Sequence, residues 1–383
     1  MRISHKNFIW MLVASFSLTL LPILALNLTL VNNSLQGRSN TLLASSWQQD
    51  THGVVSAPSV LDNNYFKLLR LRDRLPEINT VVLGASTTFA VDQSMFPKPL
   101  KIYNFSKNGS GLNSMIGEAE YLMNHVNGIK WLVIPLDWSI GFIYQDDVPP
   151  EIDISIDPPQ SGQASWPQKI RDSLSYPRIA GLFRLLGHIL VAEHKYAAFR
   201  QIFLQPAGDE YLCQDGTRAK DFDIQSRGNC RGFRDDGSWT YNSMDRVADA
   251  RRLSMLAATS NSQYAQNLLK TKGVPNTSYL QRLAALDQKA KDRGGAIIFL
   301  VPPLLSGLES AMMRHPEWSV YLGKTKQLLA SWATQEGLTL LDAGQSENFG
   351  CTANEFTDGH HATQSCYQKI FSAFWGKRSG EMK

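Results

Sequence analysis

The sequence predicts a three-layer α/β fold with a large insertion and an N-terminal transmembrane helix. Short apolar runs typical of buried strands alternate with segments of helical spacing, which indicates a parallel sheet covered by helices on both faces. About 160 residues separate the third run from the fourth, far more than one crossover needs, so we expect an insertion at about residues 140–290. An apolar N-terminal segment is long enough to cross a bilayer.

Length and charge narrow the functional classes. After the N-terminal segment, a chain of 383 residues fits one large domain or two small ones, and we favour one elaborated domain. Its formal net charge is +4, and the basic residues do not form a stripe along the sequence. We therefore expect no nucleic-acid partner.

The N-terminal segment predicts a membrane anchor over residues 1–33. No charged residue occurs between Lys6 and Arg38, and Arg2 and Lys6 precede the apolar run. Because positive charge tends to stay in the cytoplasm, we expect a single-pass protein of the inner (cytoplasmic) membrane whose remainder lies on the periplasmic side. A cleaved signal peptide is the alternative, although its apolar core is usually shorter.

The next segment is rich in Ser, Asn, Gln and Thr and shows no apolar periodicity between residues 34 and 58. This composition is typical of a linker that leaves a membrane. We assign residues 34–75 to a tether and residues 76–383 to the folded domain.

Five short apolar runs bounded by turn residues are predicted as strands that are buried on both faces. Ligands on parallel sheets bind beyond the carboxyl ends of the strands, so we expect the functional residues directly after these runs. The runs are Thr80–Gly84, Lys101–Phe105, Trp131–Leu136, Ala296–Val301 and Leu338–Leu341.

Helices are predicted between several of these runs. Apolar residues recur at helical spacing over residues 115–126 behind a possible cap at Asn113, and over residues 279–290 before a glycine pair. The middle of the insertion, Ile179–Leu204, has helical apolar spacing too.

Four cysteines fit an oxidising compartment. Three connectivities are possible, and the short loops favour Cys213 with Cys230 and Cys351 with Cys366. Neither pair has the close spacing of a zinc site, and the carboxylates at 146–157 do not match the spacing of a calcium loop. We expect no metal and no cofactor.

Two short motifs carry the candidate chemistry. Ser86 follows the first predicted strand, where a serine can cap a helix or act as a nucleophile. Near the C-terminus, Asp358 and His361 are three residues apart before a helix. A serine, a histidine and a carboxylate are the minimum set that activates a hydroxyl for nucleophilic attack.

These motifs resemble the SGNH (GDSL-like) hydrolase superfamily. "VVLGAST" at 81–87, an asparagine-containing loop after the second strand, and "DGHH" at 358–361 are similar to its first, second and last blocks and occur in the same order. The resemblance covers about residues 76–375 and implies a flavodoxin-like sheet. It implies Ser86 as nucleophile, His361 as general base and Asp358 as its carboxylate partner; the family's Asp-x-x-His spacing excludes His360.

The resemblance is weaker at the oxyanion hole. The family uses the amide of the nucleophile, which is Ser86 here, and an amide of the second block, which falls on Ser106 or Gly109. The third donor is an asparagine in the family, whereas "VIPLDWS" has Asp137 near that position, and a carboxylate there would oppose catalysis. The asparagines that could replace it are Asn104, Asn108 and Asn113.

The layout is similar to that of membrane-anchored members of the superfamily, namely the alginate acetylation proteins and the D-alanine transfer protein of teichoic acid synthesis. This implies an O-acyltransferase or esterase that acts on cell-envelope polysaccharide through an acyl-enzyme. It also implies an acyl donor, a glycan acceptor and a multispanning membrane acyltransferase as partners. The alternative is a non-catalytic periplasmic binding or assembly subunit with a degenerate site.

Aromatic residues of the insertion and its flanks could stack on sugar rings or belong to the core. They are Trp138, Phe142, Tyr144, Trp166 and Trp239.

Overall fold

A computed structural model describes most of the chain outside the insertion and parts of the insertion. The chain forms two compact units, Met1–Phe66 with Asp157–Cys230, and Lys67–Ile156 with Arg231–Lys383. The described residues are 5–33, 38–56, 63–108, 110–136, 167, 170–171, 174, 176–195, 210–221, 230–240, 279–314 and 316–381.

The helices and strands are numbered in chain order. The helices are α1 (His5–Asn33), α2 (Arg38–Thr51), α3 (Asn63–Arg74), α4 (Leu112–His125), α5 (Tyr176–Val191), α6 (Leu280–Asp292), α7 (Leu308–Met313), α8 (Pro316–Gln335) and α9 (Gln364–Glu381). The strands are β1 (Val54–Ser56), β2 (Thr80–Val82), β3 (Ile102–Asn104), β4 (Trp131–Pro135), β5 (Glu210–Leu212), β6 (Arg218–Asp221), β7 (Gly232–Phe233), β8 (Trp239–Thr240), β9 (Ala296–Val301) and β10 (Thr339–Asp342).

The second unit contains a five-stranded parallel sheet in the order β10-β9-β4-β2-β3. Each of the five predicted strands is present, and all six residues of β9 are buried, so both faces of the sheet are covered. Counted along the chain, the strand order is 2-1-3-4-5, one of the common orders of doubly wound sheets. The predicted α/β class with a parallel sheet is therefore confirmed.

The predicted helices that flank the sheet are α4 and α6, which pack against each other. The side chains of Leu122, Leu283 and Leu286 are buried in the core that these helices share with the strands. The N-cap of α4 is Gly111, and Asn113, the predicted cap, lies inside the first turn.

A hairpin within the predicted insertion, formed by β7 and β8, contacts the edge strand β3 of the second unit. The amide of Asn104 donates to the carbonyl of Asp236 at 2.7 Å. The buried ammonium of Lys67 donates to the carbonyls of Asn104 and Gly237 at 2.7 and 2.5 Å. Gly237 has a φ of +79°, and a Cβ there would lie 2.3 Å from the Asn104 carbonyl, so this close approach requires glycine.

The segment expected to be a tether is folded over much of its length. It contains α2, β1 and α3, and the buried residues of α2 are Thr41, Ala44, Ser45 and Gln48. Their spacing is helical, but their side chains are small or polar, so a search for apolar periodicity does not detect this helix. The tether prediction is therefore wrong for these residues.

The apolar N-terminal segment is helical and forms α1. Among the residues that the structure describes, no helix is both long and apolar enough to cross a membrane. The transmembrane helix is thus not confirmed, and the anchor remains an expectation from the sequence.

The predicted disulfides are both present. Cys213 bonds to Cys230 in the first unit, and Cys351 bonds to Cys366 in the second. The helical middle of the insertion is confirmed over α5, while residues 196–204 of that prediction lie outside the described residues.

Candidate active site

The nucleophile candidate lies on a tight turn at the carboxyl edge of the sheet. After β2, Gly84 adopts a φ of +151°, and residues Ser86–Thr88 form a single 3₁₀ turn. A Cβ on Gly84 would lie 2.0 Å from the Thr88 hydroxyl, so the turn requires glycine at this position. Ser86 therefore lies directly after the first strand of the sheet, as the sequence predicts.

The second turn holds the histidine and the carboxylate. One oxygen of Asp358, Oδ1, accepts the amides of His360 and His361, each at 2.9 Å. The amide of Thr357 donates to the carbonyl of His361 at 2.9 Å and closes the turn. These bonds fix the Asp358 carboxylate and leave its Oδ2 directed at the His361 ring.

The two turns meet in a continuous chain of hydrogen bonds. His361 Nδ1 lies 2.6 Å from Asp358 Oδ2, and His361 Nε2 lies 2.7 Å from the Ser86 hydroxyl oxygen. Because an ionised carboxylate only accepts hydrogen bonds, Nδ1 carries the proton and Nε2 is the acceptor for the serine hydroxyl. The structure thus brings together the three residues that the sequence predicts for the catalytic set.

The charge of Asp358 suits the stabilisation of an imidazolium ion. Burial by itself would raise the pKa of Asp358, but the hydrogen bond from His361, the nearby histidine rings and the His360 amide together hold it below its usual value. The carboxylate is therefore ionised at neutral pH and can stabilise the positive charge that develops on His361.

His360 lies beside this chain without entering it. Its ring centroid is 4.2 Å from that of His361, and its Nδ1 is 3.6 Å from Asp358 Oδ1. The ligand atoms of Asp358, His360 and His361 lie within 4.8 Å of one another and could hold a metal ion. A metal bound there through His361 would replace one of its hydrogen bonds, so this arrangement fits proton transfer better than metal binding.

A disulfide and two hydrogen bonds hold the nucleophile turn and the histidine turn in place. The disulfide Cys351–Cys366 brackets the Asp358–His361 turn in sequence. The Leu305 amide, after β9, donates to the Gly359 carbonyl at 3.0 Å. From α9, the Tyr367 hydroxyl donates to the Thr87 carbonyl at 2.7 Å, which links the helix after the histidine turn to the nucleophile turn.

Asn104, a predicted oxyanion donor, has a structural role instead. Its side chain is buried, and its two N–H groups donate to the carbonyls of Thr88 and Val91 at 2.8 Å each. Its Oδ1 accepts the amide of Ser106 at 3.0 Å. Both amide hydrogens of Asn104 are therefore in use, and Asn104 joins the nucleophile turn to the loop after β3.

The same bond removes Ser106 from the set of oxyanion donors, because its amide is already paired with Asn104. The Ser106 hydroxyl is buried and hydrogen-bonded to the Thr88 hydroxyl at 2.8 Å. The predictions for Ser106 and Asn104 are thus wrong, since sequence position did not reveal which way these polar groups point.

The amide of Ser86 remains a candidate donor. It lies at the start of a helical turn, where the first amides have no partner within the helix. Gly109 and Asp137, the residue near the third-block asparagine position, lie outside the described residues.

An ion pair that the sequence does not predict lies close to the nucleophile turn, since the Lys107 amide donates to the Gly84 carbonyl at 2.8 Å. Lys107, in the loop after β3, pairs with Glu118 of α4, which the Ser114 hydroxyl also contacts at 3.1 Å. Burial raises the pKa of Glu118, while Lys107 and Ser114 partly oppose that shift. The sequence signal for this ion pair is Glu118, a carboxylate among the buried apolar residues of α4.

Trp239 belongs to the core. It is buried, and its ring packs edge-on against Phe233 at 4.8 Å and tilted against Phe89 at 6.4 Å. It therefore offers no open face to a sugar ring. The other aromatic residues proposed for stacking lie outside the described residues.

Comparison of the chain with protein-family models, with characterised proteins and with solved structures finds no significant match. A functional assignment therefore depends on the geometry of the site and on the motif resemblance.

Proposed function

We propose that this protein catalyses serine-dependent acyl transfer through an acyl-enzyme on Ser86. The supporting observation is the continuous chain of hydrogen bonds from Asp358 through His361 to Ser86, with heavy-atom distances of 2.6 and 2.7 Å. These distances lie within the range in which a histidine can remove a proton from a hydroxyl.

The reaction has two steps. The Ser86 oxygen attacks the carbonyl carbon of an acyl donor while His361 Nε2 takes the hydroxyl proton, and the leaving group departs with that proton. His361 then removes a proton from the acceptor hydroxyl, which attacks the acyl-enzyme and regenerates Ser86. Asp358 holds the imidazole orientation and stabilises its positive charge in both steps.

The resemblance to the SGNH superfamily supports the same proposal. The strand order 2-1-3-4-5 is that of flavodoxin-like sheets, and Ser86 follows the first of these strands, beside the point where the order reverses. The resemblance extends the proposal to an O-acyltransferase or esterase on cell-envelope polysaccharide. In that setting α1 anchors the protein in the inner membrane, and a multispanning acyltransferase supplies the acyl group.

A fluorophosphonate probe tests the serine chemistry. We expect the full chain to be labelled, the Ser86→Ala variant to be unlabelled, and Ser94→Ala, which changes an exposed serine of the same unit, to be labelled like the wild type. Equal labelling of Ser86→Ala and wild type would contradict the proposal.

A second assay separates transfer from hydrolysis. An acyl ester is supplied with and without an oligosaccharide acceptor, and acylated sugar is measured. Formation of acylated sugar by the wild type but not by Ser86→Ala supports a transferase. A rate of ester hydrolysis that is the same with and without the acceptor supports an esterase.

One observation favours a second candidate, a non-catalytic binding or assembly subunit. Two of the predicted oxyanion donors, the Ser106 amide and the Asn104 side chain, are already paired inside the protein. Loss of oxyanion stabilisation would slow acyl transfer strongly. A folded wild-type protein that fluorophosphonate fails to label would support this candidate.

A further inference from the structure

The helix α5 in the first unit exposes a stripe of large apolar side chains. Phe183 is 59% exposed, Leu190 is 68% exposed and Val191 is 82% exposed. These residues are seven and eight positions apart, so they lie on one side of the helix, with the half-buried Leu186 between them. Exposed apolar side chains that form such a contiguous stripe mark an interaction surface.

The stripe has a neighbour of the same character. Helix α5 packs against α1. The N-terminal half of α1 exposes large apolar side chains of its own, among them Ile9 at 58% and Trp10 at 65%. Both of these packed helices therefore expose large apolar side chains at the surface of the first unit.

The charges on and around α5 are mainly positive. Residues 176–191 contain two arginines and one histidine but no aspartate or glutamate. The flanking residues add Arg171 and Lys195, both exposed, and two carboxylates, Asp172 and the exposed Glu193, so basic residues outnumber acidic ones by four to two over 171–195. A helix that combines an apolar stripe with basic residues is typical of segments that lie on a membrane surface containing anionic lipids.

We propose that the apolar stripe of α5, formed by Phe183, Leu190 and Val191, lies in the interface of an anionic lipid bilayer beside α1. The helix has 16 residues and is roughly 24 Å long, shorter than the hydrocarbon core of a bilayer, so it lies along the membrane rather than across it. This contact would hold the first unit against the membrane. The inference rests on the proposed membrane location but is independent of the serine chemistry.

A fluorescence experiment on the full chain tests this inference. All four native cysteines are in disulfides, so one introduced cysteine can be labelled selectively with an environment-sensitive dye. The test variants are Phe183→Cys and Leu190→Cys, both at exposed positions, and the matched control is Ala285→Cys on the exposed side of α6 in the other unit. Each protein is bound to vesicles of phosphatidylcholine and phosphatidylglycerol.

Two quenchers then report what covers each position. We expect the emission maxima of the dyes at 183 and 190 to shift to shorter wavelength. Nitroxide-labelled lipid should quench their fluorescence, and iodide in the aqueous phase should not. The dye at 285 should show the reverse. Iodide quenching at 183 and 190 that equals the control would overturn the proposal.

Protection of positions 183 and 190 from both quenchers would also overturn it, because a protein surface would then cover the stripe. Absence of vesicle binding would overturn this inference together with the membrane location. In each of these cases, labelling of Ser86 by fluorophosphonate tests the catalytic proposal separately.

Discussion

Replacement of Asn104 by alanine should destabilise the second unit rather than remove an oxyanion donor. The buried Asn104 side chain makes three short hydrogen bonds, to the carbonyls of Thr88 and Val91 and from the amide of Ser106. In Asn104→Ala the Val91 carbonyl and the Ser106 amide lose this partner, whereas the Thr88 carbonyl still accepts the Val91 amide at 3.1 Å. The perturbation therefore lies in the packing between the nucleophile turn and the loop after β3.

The magnitude follows from the cost of unpaired buried groups. Each buried donor or acceptor that loses its partner costs about 1 to 3 kcal/mol, so two of them cost about 2 kcal/mol of unfolding free energy at the lower limit. For a unit of this size, each kcal/mol lowers the melting temperature by about 2–4 °C. We therefore expect Asn104→Ala to lower the melting temperature of the second unit by about 4–8 °C.

Thermal unfolding followed by near-ultraviolet circular dichroism measures this change, with ester hydrolysis recorded on the same samples well below the transition. Asn348→Ala, which changes an exposed asparagine, is the control and should alter the unfolding free energy by no more than about 0.5 kcal/mol. An unchanged melting temperature with a roughly 100-fold or greater loss of kcat would refute the reasoning, because that is the effect of losing an oxyanion donor.

Three further predictions concern the histidine turn. Asp358→Asn should lower the rate of ester hydrolysis by about 10⁴-fold, because an amide at this position favours the wrong tautomer of His361; an activity within tenfold of wild type would exclude this role. The pKa of Asp358 is lower in the folded protein than its ordinary value of 3.8, so the stability it contributes is present above that value and is lost as the pH falls further. The difference in unfolding free energy between wild type and Asp358→Asn should accordingly shrink as the pH falls below about 4, as urea titrations at several acidic pH values can measure. Replacement of Cys351 and Cys366 by serine removes a disulfide with a sequence separation of 15 and should lower the unfolding free energy by about 3 kcal/mol. A loss no larger than that caused by a substitution at an exposed position would contradict this prediction.

The parallel sheet could be predicted because its strands are buried on both faces. Runs such as Ala296–Val301 have no polar residue that would suggest another arrangement, and the turn residues on either side limit their length. The disulfides were predictable for a similar reason, since short loops leave few reasonable pairings. The position of Ser86 follows from this topology, because Ser86 lies in the first turn after β2, whereas His361 was found from its spacing to Asp358 before the last helix.

The directions of individual side chains could not be predicted in the same way. The sequence places Asn104 near the carboxyl end of a strand, where an oxyanion donor and a structural bridge cannot be distinguished. Only the structure shows that its amide points to the carbonyls of Thr88 and Val91. The buried face of α2 was missed for a different reason, since Thr41 and Gln48 carry no apolar signal although they are buried.

Identification of the acylated residue is the most direct test of the proposed acyl-enzyme. The full chain is mixed with a nitrophenyl acetate ester, quenched in acid within the first turnover and digested for mass spectrometry. We predict one added acetyl group on the peptide that contains Ser86, and none on that peptide from Ser86→Ala or from His361→Ala. An acetyl group on another residue, with an unmodified Ser86 while the ester is being hydrolysed, would contradict the account.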